Sequence, residues 1–206
     1  MTELTFYTNP MSRGRIIRWA LEEFGEPYET VLLDFASSMK APDYLAINPM
    51  GKVPAIKHGD HVITECAAIC AYLAEAFPQA ELAPTDHEKA AYYRWLFFFS
   101  GPLEAAILNR SMGFEVETDK EATAGYGNFD RVIGVIDQLF GEHDYVAGSR
   151  FTAADIYCGA QIGWGIQFGT IEATPNLERY WARLSSRPAH VRAIEIDDGL
   201  LAEDNS

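Results

Sequence analysis

The chain has 206 residues, of which 48% are hydrophobic and 22% charged, enough apolar material for one or two folded domains and too little charge for a disordered chain. Its 16 basic against 30 acidic residues give a net charge of −14, which excludes a groove for nucleic-acid backbone and a polybasic membrane-docking surface. No apolar run approaches the ~18 residues of a transmembrane helix. MTELTFYTNP lacks the basic flank and long apolar stretch of a signal peptide. Three cysteines, odd and sparse, suit a reducing compartment rather than a disulfide scaffold, so the expected location is cytoplasmic.

Residues 1–80 alternate strand and helix patterns. Leu4 to Tyr7 reads as a short strand closed by Asn9 and Pro10. Ile16, Ile17, Ala20, Leu21 and Phe24 then recur at helical spacing, and Gly25 ends that helix. Tyr28 to Asp34 is a second strand, followed by a loop with turn residues at Pro42, Asn48, Pro49 and Gly51. Val53 to Lys57 and His61 to Thr64 form a hairpin across His58-Gly59-Asp60. Ala68, Ile69, Tyr72, Leu73, Ala76 and Phe77 mark a helix that stops before Pro78. The order is βαβ, then ββα.

Residues 78–86, PQAELAPTD, read as a linker, and only helical patterns follow. The predicted domains are therefore an α/β domain over 1–80 and an all-α domain over 81–206. Thr85-Asp86-His87-Glu88 fits a capping box for a helix running to about residue 111. A second helix is expected over roughly 119–141. Thr152-Ala153-Ala154-Asp155 opens a third, with Phe151 and Ile156 as staple residues. Two shorter helices begin near Asn176 and Pro188, and the acidic tail from Glu195 to Ser206 is expected to fray.

Five of the six basic residues in 1–80 fall in two segments: Arg13, Arg15 and Arg18, then Lys40 and Lys52. In an acidic chain this suggests a local site for a small anion, against the plain alternative of solvated helix-face charges. Three further segments bear on such a site. In Asn48-Pro49-Met50-Gly51-Lys52-Val53-Pro54-Ala55-Ile56, Pro54 opens an apolar strand without a ladder N–H to give. If the Val53–Pro54 bond is cis, the Val53 N–H and C=O are left to pair with an extended peptide. In Thr64-Glu65-Cys66-Ala67-Ala68-Ile69 a strand runs into a helix whose first N–H groups favour a carboxylate. Glu65 either caps its own helix or pairs with a ligand ammonium. In Tyr7-Thr8-Asn9-Pro10-Met11-Ser12-Arg13-Gly14-Arg15 the first strand turns into the first helix, and Ser12 either caps that helix or points its hydroxyl at a ligand.

Together with the FTAADIY segment, these motifs resemble the cytosolic glutathione S-transferases over essentially the whole chain. The resemblance implies a thioredoxin-like N-terminal domain, an all-α C-terminal domain and a homodimer. It implies glutathione as co-substrate, attacking a small-molecule electrophile without a metal. Carried over by position, it implies that Val53 pairs its backbone with the cysteinyl part of glutathione, with Pro54 cis. Glu65 and Cys66 would hold the γ-glutamyl end, and Lys52 and Lys40 the glycyl carboxylate. Asn9 and Arg13 belong to the same substrate-binding turn, and Asp155 matches the family's buried capping acid. One departure is Cys66, where the family usually has Ser; a thiol is the weaker donor.

The thiolate-stabilising residue has two candidates. Serine-type members of the family match Ser12, and tyrosine-type members match Tyr7. A free thiol has a pKa of ~8.5, and moving it to ~6.5 takes about 2.7 kcal/mol. A hydroxyl bond to the charged sulfur and a helix N-terminus together supply energies of that order. Ser12 offers both, and Tyr7 the hydroxyl alone.

Other readings are weaker. Cys66 and Cys70 share a helix face but have no further ligand at zinc spacing, and Cys70 and Cys158 read as buried hydrophobes. The block Tyr92 to Phe99 divides between core and another face, with Met112, Trp164 and Phe168 as further candidates for an electrophile pocket. The alternatives to a transferase are a glutathione-dependent isomerase, dehalogenase or peroxidase on the same scaffold, or a non-catalytic glutathione or hydrophobic-ligand binding protein.

Overall fold

The computed structural model describes residues 4–204. Contacts divide the chain into two compact units, Met1–Ala83 with Ser186–Ser206, and Pro84–Ser185.

The first unit is built on a four-stranded sheet in the order β2-β1-β3-β4. Strand β1 (Leu4–Thr8) buries Leu4, Phe6 and Thr8 and leaves Thr5 and Tyr7 half-buried, the period-2 alternation of a pleated strand. It pairs in parallel with β2 (Glu29–Leu32) and antiparallel with β3 (Ala55–His58), which pairs antiparallel with β4 (His61–Thr64). β3 begins two residues later than expected, because Pro54 has no N–H to give a ladder. Between β1 and β2 runs α1 (Gly14–Phe24), ended by Gly25 at φ 70°, whose N–H returns to the Leu21 carbonyl. A short α2 (Pro42–Leu45) follows β2, and α3 (Cys66–Ala76) follows β4.

The chain end departs from expectation. Instead of fraying, it forms the second half of α9 (Pro188–Asp204), a 17-residue helix packed on α1 within this unit; Asn205 and Ser206 lie outside the described residues. Arg18 is the reason. Its side chain is 2% exposed, and its Nε donates to Asp197 Oδ1 at 3.1 Å. Its Nη1 donates to Tyr28 Oη and Thr30 Oγ1, and its guanidinium lies over the Phe6 ring at 5.0 Å. Arg15 reaches Asp198, Arg187 forks onto Glu23, and Arg192 meets Glu22. Asp197 and Asp198 of the tail are thus matched by bases of α1, and Arg187 and Arg192 by acids of α1. Arg15 and Arg18 are structural cations rather than members of an anion site.

In the second unit, α4 (Lys89–Phe98) buries Tyr92, Trp95 and Leu96 at helical spacing and leaves Tyr93 and Phe97 exposed. The helix expected to run to 111 is interrupted. Phe99–Leu103 is a wide π-type turn containing Pro102, which removes a ladder N–H, and α5 (Glu104–Ser111) resumes beyond it. The helix expected from 119 starts only at α6 (Phe129–Glu142): Gly127 is left-handed at φ 72°, and Asn128 caps the helix by accepting the Arg131 N–H. Then come α7 (Ala153–Gln167) and α8 (Pro175–Ser185). The α7 capping box is complete: Asp155, fully buried, accepts from the Thr152 N–H, the Thr152 hydroxyl, the Val146 N–H and the Tyr180 hydroxyl. Burial still pushes its carboxyl up to about 6. At the start of α4, Glu88 accepts the Thr85 N–H and a forked pair from Arg150, and the Arg150 guanidinium holds its carboxyl down at about 2.

Two predictions follow from these charges. Asp197→Ala leaves a buried guanidinium short of its counterion and should cost about 3–5 kcal/mol in urea unfolding, whereas Asp198→Ala, at the exposed pair, should cost under about 1 kcal/mol. Equal effects of the two would contradict the buried role. Glu88 has a depressed carboxyl pKa, so its contribution is complete above its ordinary 4.5 and disappears as pH falls toward about 2. The stability gap between the parent and Glu88→Gln, read from urea midpoints, should therefore be constant above pH 5 and close between pH 4.5 and 2.

Candidate active site

Strand register brings three segments to one end of the sheet. Tyr7 stands opposite Ala55, and Ala55 opposite Thr64. The residues just beyond those three positions are the turn after Thr8, the Val53–Pro54 step and Glu65. The three motifs singled out in the sequence therefore leave the sheet at one level.

The first is the turn from β1 to α1. Asn9 Nδ2 donates to the Leu33 carbonyl and its Oδ1 accepts the Met11 N–H, so this side chain ties the ends of β1 and β2 together. Ser12 is half-buried. Its hydroxyl donates to the Asn9 carbonyl at 2.6 Å and accepts the Gly14 N–H at 2.9 Å, a local turn that primes the start of α1. The Asn9 carbonyl also accepts the Ser12 N–H at 3.0 Å. Gly14 admits no side chain here, since a Cβ would stand 1.9 Å from Thr8 Oγ1. That hydroxyl is fully buried and has no hydrogen-bond partner among the described residues.

The second is the loop into β3. The Val53–Pro54 bond is cis, as the sequence suggested, and neither backbone polar group of Val53 is hydrogen-bonded among the described residues. Lys40 Nζ donates to the Gly51 carbonyl at 2.6 Å, while Lys52 is exposed. Gly51 is left-handed at φ 57°, and a Cβ there would lie 2.8 Å from the Met39 carbonyl, so the bend requires glycine. The Lys52 carbonyl accepts two bonds, from Tyr44 Oη at 2.6 Å and from Asn48 Nδ2 at 2.8 Å. Tyr44 is 4% exposed, and burial pushes its phenol up to about 12. Sequence reasoning passed over Tyr44 and took Asn48 for a turn residue. The signal available was a tyrosine eight residues before the carbonyl it holds, which only the loop's path makes meaningful.

The third is the start of α3. Glu65 precedes it with φ 67°, a left-handed conformation unusual outside glycine, and makes no side-chain cap bond. Its carboxylate is exposed, and it stands at the start of α3, where the helix dipole favours negative charge. Cys66 Sγ lies 3.8 Å from the Arg13 carbonyl, which joins the start of α3 to the residue preceding α1. Two helix N-termini, both favourable to negative charge, thus sit together. Burial pushes the Cys70 thiol well above its ordinary value, leaving it an inert core group.

The arrangement brings Ser12, Arg13, Glu65 and Cys66 around paired helix starts. Tyr7 shares a cluster with Val53, Tyr44, Leu33 and Met39, its ring 5.7 Å from that of Tyr44. The Tyr7 hydroxyl has no hydrogen-bond partner among the described residues. The site as a whole offers an unpaired strand edge between an anion-favouring helix start and an exposed lysine, which suits a short anionic peptide.

Comparisons with known proteins agree. Residues 2–75 match the model of the glutathione S-transferase N-terminal domain, and residues 89–188 that of the glutathione S-transferase C-terminal domain. The chain is 31% identical to the probable glutathione S-transferase GSTF2 of Oryza sativa subsp. japonica, over 85% of this chain and 88% of that one. It is 27% identical to glutathione S-transferase 3 of Zea mays, over 94% of each. Among solved structures, a sphingomonad glutathione S-transferase complexed with glutathione is 27% identical, with a TM-score of 0.76 over 94% of this chain and 98% of that one.

The Gly14–Thr8 contact gives a prediction. Gly14→Ala should destabilise the turn and lower activity, and adding Thr8→Ala should recover part of both, read from the unfolding midpoint and from turnover with glutathione. Additive losses in the double variant would contradict a direct clash.

Proposed function

Because the chain belongs to the glutathione S-transferase family and is a glutathione transferase, we propose that its glutathione lies along the sheet end described above and that Ser12 is the donor to the thiolate. Val53 gives its N–H to the cysteinyl carbonyl and accepts the cysteinyl N–H. The γ-glutamyl carboxylate meets the first N–H groups of α3, with Cys66 a weak helper, and its ammonium meets Glu65. The glycyl carboxylate meets Lys52, and Lys40 has spare donors beyond its bond to Gly51. Arg13 adds positive charge at the turn, and Asn9 holds that turn in place.

The observation that carries the Ser12 assignment is its position at the joined starts of α1 and α3. When its proton turns to the sulfur, the Asn9 carbonyl keeps the Ser12 N–H, so no buried acceptor is orphaned. A second reading is favoured by one fact: the Tyr7 hydroxyl has no hydrogen-bond partner to release. The thiolate then attacks an apolar electrophile: a sulfur lone pair forms the C–S bond as the bond from that carbon to its leaving group breaks, and the leaving group departs with that bond's electron pair, the thiol proton having already gone to solvent. We further propose a cytoplasmic homodimer serving detoxification. No helix among the described residues is long and apolar enough to cross a membrane. Phe97 is 72% exposed, and a dimer would cover apolar surface of this kind. Light scattering at micromolar concentration should report twice the chain mass; a monomer would contradict the dimer.

The catalytic assignment is tested by titrating the absorbance of bound thiolate. Ser12→Ala should raise the bound thiol pKa by one to two units, ~1.4–2.7 kcal/mol, and lower turnover near neutral pH by roughly tenfold or more. Glutathione affinity should change little. If Tyr7→Phe shifts the titration and Ser12→Ala does not, the enzyme is tyrosine-type. A parent with no depressed thiol pKa would favour the non-catalytic binding reading.

A further inference from the structure

We propose that Tyr44, assisted by Asn48, is a positioning residue for glutathione: it holds the Lys52 carbonyl so that the N–H of the same peptide faces the cysteinyl carbonyl. The inference rests on the placement of glutathione against Val53 given above. In a trans peptide the C=O and the N–H point in opposite directions. The Lys52–Val53 peptide is trans, and its carbonyl is fixed by two donors at 2.6 and 2.8 Å. Its N–H is thereby aimed away from Tyr44 and Asn48, and it meets no acceptor among the described residues. A peptide plane held at neither end would be free to rotate, and the ligand would have to stop that rotation on binding. Tyr44 removes the freedom beforehand, so its effect is on binding and not on the chemistry of the sulfur.

The clamp is rigid on both sides. The Tyr44 ring is packed among Leu33, Met39, Ile47 and Tyr7, and Asn48, 6% exposed, has its Oδ1 committed to the Met50 N–H. With its phenol pushed up to about 12, Tyr44 is a neutral donor throughout the working range, and its effect carries no pH dependence.

Tyr44→Phe keeps the ring and deletes the hydroxyl. Glutathione affinity, measured by calorimetry, and KM for glutathione should both weaken about fivefold, the size of one net hydrogen bond. At saturating glutathione, kcat and its pH profile should stay at parent values. A second ligand tests the direction of the effect: a glutathione analogue with an ester in place of the Cys–Gly amide, whose cysteinyl carbonyl is a poorer acceptor. The penalty for that replacement should be smaller in Tyr44→Phe than in the parent, because the N–H it addresses is no longer aimed. Asn48→Asp, which keeps an acceptor for Met50 but withdraws the second donor, should act in the same sense and serves if Tyr44→Phe does not fold. Equal ester penalties in parent and variants overturn the inference. So does a variant that loses thermal stability and active fraction with KM unchanged, which is the mark of a purely structural tyrosine. A parent that binds no glutathione overturns the underlying placement itself.

Discussion

The site depends on the ladder between β1, β3 and β4. Its last rungs, Tyr7 to Ala55 and Ala55 to Thr64, set three loops at one level, and each loop then does a different thing with its backbone. The first turns into α1 through Ser12, whose hydroxyl takes the Gly14 N–H. The second enters β3 through a proline and keeps a strand edge unpaired. The third enters α3 through the left-handed Glu65. A shift of β3 by one residue would move Val53 away from the Tyr7 end and turn every side chain of the strand to the opposite face. The buried pair Phe6 and Ile56, neighbours across β1 and β3 and both fully excluded from solvent, is what makes that shift costly.

Electrostatics act on this frame at two ranges. The chain carries a net charge of −14, which on its own repels a glutathione anion. Several of the basic side chains of the first unit are already matched: Arg15 and Arg18 by Asp198 and Asp197, and Arg187 and Arg192 by Glu23 and Glu22. In the glutathione placement proposed above, the attraction for an anion is therefore close-range, from the dipoles of two helix starts with Lys52 beside them. Such dipoles are fixed by the fold, and their strength falls less with salt than that of exposed cations.

Much of this was legible in the sequence wherever the physics is local. The alternation in β1, the periodicity of α1, the proline at 54 and the capping box at Thr152 each depend on residues a few positions apart. What escaped was non-local or decided by one interruption. Pro102 breaks a pattern whose periodicity reads through it, and Gly127 with Asn128 delays α6 although apolar residues recur earlier. The tail looked too acidic to fold because composition counts its own charges, while the bases that neutralise it lie some 180 residues upstream. Tyr44 escaped for the same reason: its partner is a carbonyl, and every residue has one of those.

The packing of α9 on α1 has a consequence for how the chain is made. Residues 84–185 form a compact unit of their own, inserted between two portions of the other. A ribosome synthesising the protein from its N-terminus therefore completes the inserted unit while the first still lacks a helix. Until the last twenty or so residues emerge, the Arg18 guanidinium faces no carboxylate and the surface of α1 around Trp19 stays uncovered. Closing so long a loop costs only slowly growing entropy, but it must wait until α9 has been synthesised. Nascent chains of this protein thus carry an unfinished first unit until α9 emerges, and it is in that interval that a chaperone has most to hold.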